Sequence, residues 1–174
     1  MNTHFARVTV MATLLAGLVV VPGVAQSFLS KQPARLTLAV DAPVSVAVGD
    51  PFAITVRLTP LPGIHVYAPG NPNYIPVAIA VTPIAGLKVN PPVFPAGQDL
   101  FFGPLKETVK VYSAPFAIRV PLMLETRFRK GKIAASEDLA VHGTVSYQAC
   151  NDRVCFPPQS APFDARLSVR LDRP

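Results

Sequence analysis

Cysteine is scarce in this chain: Cys150 and Cys155 are the only two in 174 residues. Their closeness excludes an efficient staple. A bridge closing about six residues contributes roughly 2 kcal/mol in the chain-entropy model, against about 4.7 for a 100-residue loop. Other absences narrow the class further. No window carries a sustained helical stripe with caps, so a helical fold is not indicated. No phosphate-cradling glycine loop, nucleophile elbow or paired-carboxylate motif occurs. The basic residues lack the interleaved aromatics that would point to nucleic acid. Beyond the N-terminus no run is long and apolar enough to span a bilayer.

The N-terminus itself reads as an export signal. Arg7 precedes an uncharged run from Val8 to Val21, followed by Pro22-Gly23-Val24-Ala25. A basic start, a short apolar stretch and small residues at the exit describe a secretory signal peptide cut before Gln26. The run is shorter than the ~20 residues a spanning helix needs, which disfavours an uncleaved anchor. No cysteine lies near the cut, which excludes a lipidated N-terminus. Residues 1–25 are therefore expected to be cleaved, leaving residues 26–174 as one exported domain with no stable membrane insertion. A compartment outside the cytosol suits cysteines that pair and unpair. Cleavage takes a single charge, Arg7, off the formal +6. The rest of the excess is dispersed except around Gly131, where Arg127, Arg129, Lys130 and Lys132 read as a solvated hairpin tip.

What is present is β-pattern. Apolar and polar residues alternate in Arg35–Val40, Phe52–Thr59, Val77–Thr82, Glu107–Tyr112 and Phe163–Leu171, and Ala114–Leu124 and Leu139–Cys150 are longer strand candidates. Twenty prolines punctuate the chain. Those at Pro43, Pro51, Pro60, Pro62, Pro83 and Pro115 fall at the ends of these runs, as expected of a residue that cannot donate to a ladder. The spacing predicts an all-β, immunoglobulin-like β-sandwich in a single domain. Two segments break the rhythm and read as loops, residues 63–74 and residues 94–104. The second places Phe101 and Phe102 between glycines, either plugging the end of the core or covering a reactive group.

The cysteines sit in Tyr147-Gln148-Ala149-Cys150-Asn151-Asp152-Arg153-Val154-Cys155-Phe156-Pro157-Pro158. A four-residue turn would let them face each other, with Cα atoms about 4.5–5.5 Å apart, near the short end of disulfide geometry. Such a pair is better suited to opening and closing than to stapling. The chemistry would be attack of a thiolate on a partner disulfide, followed by resolution of the mixed disulfide. Arg153 favours a thiolate nearby and Asp152 opposes it. A zinc or copper site recruiting His65 or His142 is the weaker reading, since neither histidine has ligand spacing to the cysteines. A non-enzymatic immunoglobulin-like binding module, its recognition loop fixed by a structural bridge, is the alternative from another class.

The run from Tyr147 to Pro158 resembles the active-site hairpin of the periplasmic N-terminal domain of the thiol:disulfide interchange protein DsbD. Asp99-Leu100-Phe101-Phe102-Gly103 resembles that family's cap loop, and Gly63-Ile64-His65-Val66-Tyr67 its active-site lining. The likeness extends over roughly residues 35–172. It implies a thiol:disulfide oxidoreductase with Cys155 as the attacking thiol and Cys150 as the resolving one. It also implies a cap of Asp99, Phe101, Phe102 and Gly103, and a lining of His65, Tyr67, Tyr147, Phe156 and Pro157. No cofactor beyond the redox-active disulfide, and no metal, is implied. The expected partners are a thioredoxin-like or membrane-embedded reductase as donor and periplasmic disulfide proteins as acceptors, with cytochrome c biogenesis among the processes served. Four residues separate the cysteines here, where the best-known family member has five. This sequence has no transmembrane carrier or thioredoxin-like domain fused to it, so the donor is expected to be a separate protein.

Overall fold

Alternation of buried and exposed side chains dictates the main strands of the computed structural model, which describes residues 33–103, 106–125 and 136–170. In β3 (Pro51–Pro60), Ile54, Val56 and Leu58 point inward while Arg57 and Thr59 face out. In β9 (Phe116–Leu124), Ile118, Val120, Leu122 and Leu124 do the same around exposed Arg119. Register places Ile54 opposite Val120 and Val56 opposite Ile118, so the apolar faces of the two strands coincide. β1 (Leu36–Asp41) and the short β6 (Leu87–Val89) complete a sheet of order β1-β3-β9-β6.

The facing sheet is built the same way. β10 (Ser136–Tyr147) and β12 (Gln159–Arg170) pair antiparallel along their full length, with β2 (Ser45–Ala47) parallel to β12 on one side and β5 (Ala78–Val81) against β10 on the other. Val141, Val145, Phe163, Leu167 and Val169 meet the residues of the first sheet in one core. At Gly143, opposite Phe163, a Cβ would stand 2.1 Å from the Phe163 ring, so only glycine lets the ring lie flat there.

Lettered in chain order as A, A′, B, C, D, E, F and G, these eight strands give sheets A-B-E-D and A′-G-F-C. That is the strand order of an immunoglobulin-like sandwich. The expected all-β fold is therefore present. Four strands lie outside it: β4 (His65–Tyr67), β7 (Gln98–Phe102), β8 (Glu107–Tyr112) and β11 (Ala149–Cys150). They interrupt the B–C, D–E and F–G connections and pair with one another as a third sheet, β11-β4-β8-β7.

Local readings of the sequence are corrected in three places. Residues 63–74 and 94–104, read as loops, contain β4 and β7; their short strands sit among Pro and Gly and show too few alternations to register. The long run to Cys150 divides at Gln148 into β10 and β11. Proline also enters strand interiors, at Pro121 in β9 and Pro162 in β12. Residues 1–25, expected to be a signal peptide, and the expected basic tip around Gly131 lie outside the described residues.

Candidate functional site

The three insertions are bound together by strand pairing, by one asparagine and by a small apolar cluster. Gly63, at a φ of +73° that suits glycine, turns the chain out of β3 into β4. β4 then pairs with β8, Val66 opposite Tyr112, and with β11, Cys150 opposite His65. The Asn71 side chain locks the next turn: its Nδ2 donates to the carbonyls of Ala68 (2.8 Å) and Lys110 (2.7 Å), and its Oδ1 accepts the Lys110 N–H at 3.0 Å. Tyr67, Val109, Val111 and Cys150 form a separate apolar cluster, with Tyr74 and Leu100 against it.

Cys150 and Cys155 are joined by a disulfide, with Cα atoms 4.0 Å apart. The intervening turn is shaped by Asn151. Its N–H donates to the Val154 carbonyl at 3.0 Å, and its Oδ1 accepts the N–H groups of Arg153 (2.9 Å) and Val154 (2.8 Å). Asparagine satisfying backbone donors two and three residues on is a recognised turn device. Behind the bridge the Phe156 N–H donates to the Ala149 carbonyl at 2.8 Å, and Gln148 Nε2 donates to the Phe156 carbonyl at 3.2 Å.

The two sulfur residues are not equivalent. Cys150 is 1% exposed, whereas Cys155 is an exposed residue. Tyr67 Oη lies 3.4 Å from Cys155 Sγ. A disulfide sulfur carries no hydrogen, so the phenol is the donor. Burial, and secondarily the charge of Glu107, pushes the Tyr67 phenol above its ordinary pKa, keeping the proton available. Tyr67 is itself oriented by stacking on Tyr74 (ring centres 4.3 Å) and by the edge of His65 at 6.1 Å. His65 is 8% exposed, and burial lowers its pKa and favours neutral imidazole.

The remaining expected residues divide into two groups. Tyr147 is buried at the end of β10 and donates to Gln159 Oε1 at 3.1 Å; Phe156 is half-buried and Pro157 exposed. Asp99, Phe101, Phe102 and Gly103 sit on and after the edge strand β7, where Asp99 pairs with Lys110 at 2.7 Å. Phe101, Phe102 and Gly103 wall a cavity of about 320 Å³ whose other sides include Ile64, His65 and Asp152. Phe101 is 65% exposed, and Cys155 is an exposed residue. His142 stands apart on β10, paired with Asp164. Among the described residues no group of three or more His, Cys, Asp or Glu gathers to hold a metal.

Reasoning from sequence missed Asn151, Gln148 and Arg35. A turn-forming Asn directly after the first cysteine was a readable signal for the first. Nothing local announces that the Arg35 guanidinium rests 3.7 Å above the centre of the Phe156 ring.

An immunoglobulin-like sandwich carrying at its end a disulfide with one cysteine buried and the other an exposed residue has the form of a thiol–disulfide exchange domain. The family model for the N-terminal part of the thiol:disulfide interchange protein DsbD matches residues 33–166, and the chain belongs to that family. Among solved structures, the N-terminal periplasmic domain of ScsB from Proteus mirabilis is similar at 13% identity, covering 82% of this chain and 49% of that one with a TM-score of 0.49. AvmM, described as catalysing macrocyclization in alchivemycin A biosynthesis, is similar at 14% identity over 80% of this chain and 90% of that one, with a TM-score of 0.31. The chain thus spans about half the length of the ScsB chain it resembles. No curated protein matches it. The fold assignment rests on strand order, and thiol–disulfide exchange is supported by the family together with the bonded cysteine pair.

Proposed function

We propose that residues 26–174, after removal of an export signal spanning 1–25, form a periplasmic thiol:disulfide oxidoreductase that relays electrons through Cys150 and Cys155. The observation that carries this reading is the unequal exposure of two bonded sulfur residues, one buried and one facing solvent. In the reduced protein the Cys155 thiolate attacks one sulfur of a partner disulfide. A Cys155–partner bond forms, the partner's own bond breaks, and its second sulfur leaves as a thiolate. The Cys150 thiolate then attacks Cys155 Sγ, which restores the internal bridge and releases the partner's first sulfur. Two electrons and two protons have passed to the partner dithiol. A thioredoxin-like or membrane-embedded reductase recharges the pair by the reverse sequence, and periplasmic disulfide proteins accept the electrons. The Tyr67 hydroxyl donates to Cys155 Sγ and stabilises negative charge developing there. Phe101, Phe102 and Gly103, with Asp99 beside them, act as the cap, forming the wall against which a partner docks. No resident cofactor beyond the disulfide is required.

The test is a trapping experiment with an oxidised thioredoxin-like protein. Cys150→Ala is expected to accumulate mixed disulfides through Cys155 on non-reducing gels, and Cys155→Ala few. Stronger adducts with Cys155→Ala would reverse the two roles.

A further inference from the structure

The cavity of about 320 Å³ that reaches the disulfide turn has two unlike parts. Ile64, Leu100, Phe101 and Phe102 give it apolar walls, and His65, Ser113 and Asp152 supply polar side chains. Of these, Asp152 brings the only formal charge at neutral pH, because burial keeps His65 a neutral imidazole. Asp41, Asp99 and Asp164 are each paired with a basic side chain. Among the described residues none pairs with the Asp152 carboxylate, which is left in an exposed turn.

Position ties the cavity to the redox pair. Asp152 is two residues from Cys150 and three from Cys155, inside a loop whose ends stand 4.0 Å apart. Consecutive Cα atoms are about 3.8 Å apart, so the Asp152 and Cys150 Cα atoms are separated by no more than about 8 Å. His65, on another side of the cavity, lies directly opposite Cys150 across the β4–β11 pair. A group seated there would belong to a residue close in sequence or space to the disulfide under attack.

The chemistry of the lining selects that group. Lysine and arginine lay an apolar stem along apolar surface while the charged head seeks polar company. The size of the cavity, at the small end of the roughly 300–1,000 Å³ range of ligand pockets, suits one such side chain. A formal charge of +6 on the whole chain would by itself draw anions, so the carboxylate sets a local preference against the global one. We propose that this cavity seats a lysine or arginine side chain flanking the target disulfide of a partner protein. Asp152 is its counter-ion and thereby a specificity-determining residue for exchange.

The inference rests on the exchange reaction proposed above and deepens it by naming a feature of the partner. Three short peptides serve as probes, each a disulfide-linked homodimer with Lys, Gln or Glu flanking its single cysteine. Each is mixed with the reduced full-length protein at pH 7 and about 0.15 M salt. One peptide sulfur bonds to the protein and the other leaves as thiolate. Closure of the Cys150–Cys155 bridge then frees the second peptide thiol, so two electrons pass to each dimer. Rates are read by chromatography and divided by the rate of the same dimer with dithiothreitol, which removes differences in intrinsic reactivity. Wild type is expected to favour the Lys peptide over the Glu peptide about threefold, the size of an ion pair at a protein surface.

Asp152→Asn is expected to abolish that preference. Asp164→Asn, which removes a carboxylate on β12, keeps it. Ser113→Leu, which fills the cavity and spares the carboxylate, loses it. Equal normalised rates in wild type, or a preference retained in folded Asp152→Asn, overturn the proposal. A preference retained in Ser113→Leu overturns the cavity as the seat, and decides the matter alone if Asp152→Asn does not fold. Failure of wild type to reduce any of the three dimers sinks the exchange reading itself, and this inference with it.

Discussion

The sandwich and the small sheet at its end are built by different means. The long sandwich strands reach twelve residues, alternate buried with more exposed positions, and share one core between two sheets. In the small sheet no strand exceeds six residues, and its pieces come from three separate connections. It is held by a small cluster around Tyr67 and Cys150 and by side chains that bond backbone, chiefly Asn71 and Asn151. The difference teaches that stability and chemistry reside in separate regions. The sandwich supplies the folding free energy, and the three insertions supply a surface whose covalent state can change without unfolding it.

The largest effect that would sharpen this division belongs to the sandwich. Leu122, fully buried on β9, should cost about 2–5 kcal/mol when changed to Ala. Denaturant titration would read that loss, while the exchange rate per folded molecule stays at the wild-type value. A matching fall in that rate would mean the two regions are coupled. Next in size, reduction of the Cys150–Cys155 bridge should lower stability by about 2 kcal/mol or less, because the loop it closes is short. Complete unfolding on reduction, seen by circular dichroism, would make the bridge a structural staple and break the comparison. Tyr67→Phe should leave the denaturation midpoint nearly unchanged. It should slow exchange with a model disulfide by about three- to tenfold, the worth of one modest hydrogen bond.

The smallest effect concerns pH. Burial lowers the His65 pKa, so the folded chain resists a proton that the unfolded chain accepts. Stability is therefore fully present above the unfolded value of about 6.5 and falls as pH drops from there toward the lowered folded pKa. Replacing His65 with Phe should flatten the stability profile in that acidic window. An equally steep profile in the variant would assign the acid sensitivity to carboxylates elsewhere.

Legibility in the sequence follows the same division. Stretches such as Phe52–Thr59 and Phe163–Leu171 announced themselves because many alternations in a row leave little ambiguity about which face is inward. The cysteines were legible from spacing alone. β2, β4 and β6 were not, since three residues cannot display a period, and β7 was hidden by the glycines and prolines around it. The stack of Arg35 on Phe156 was invisible for another reason: it joins residues far apart in the chain through a contact that has no local signature.

The Asn151 turn carries a consequence for speed. Its two accepted N–H groups, and the Ala149–Phe156 bond behind it, owe nothing to the sulfur–sulfur link. With the link broken, the chain still holds the two thiols within reach of each other instead of letting them diffuse apart. Cys150 then meets a mixed disulfide on Cys155 at the high effective molarity that good intramolecular geometry provides. Release of the partner is governed by this built-in neighbour, so complexes should be short-lived whenever Cys150 is intact.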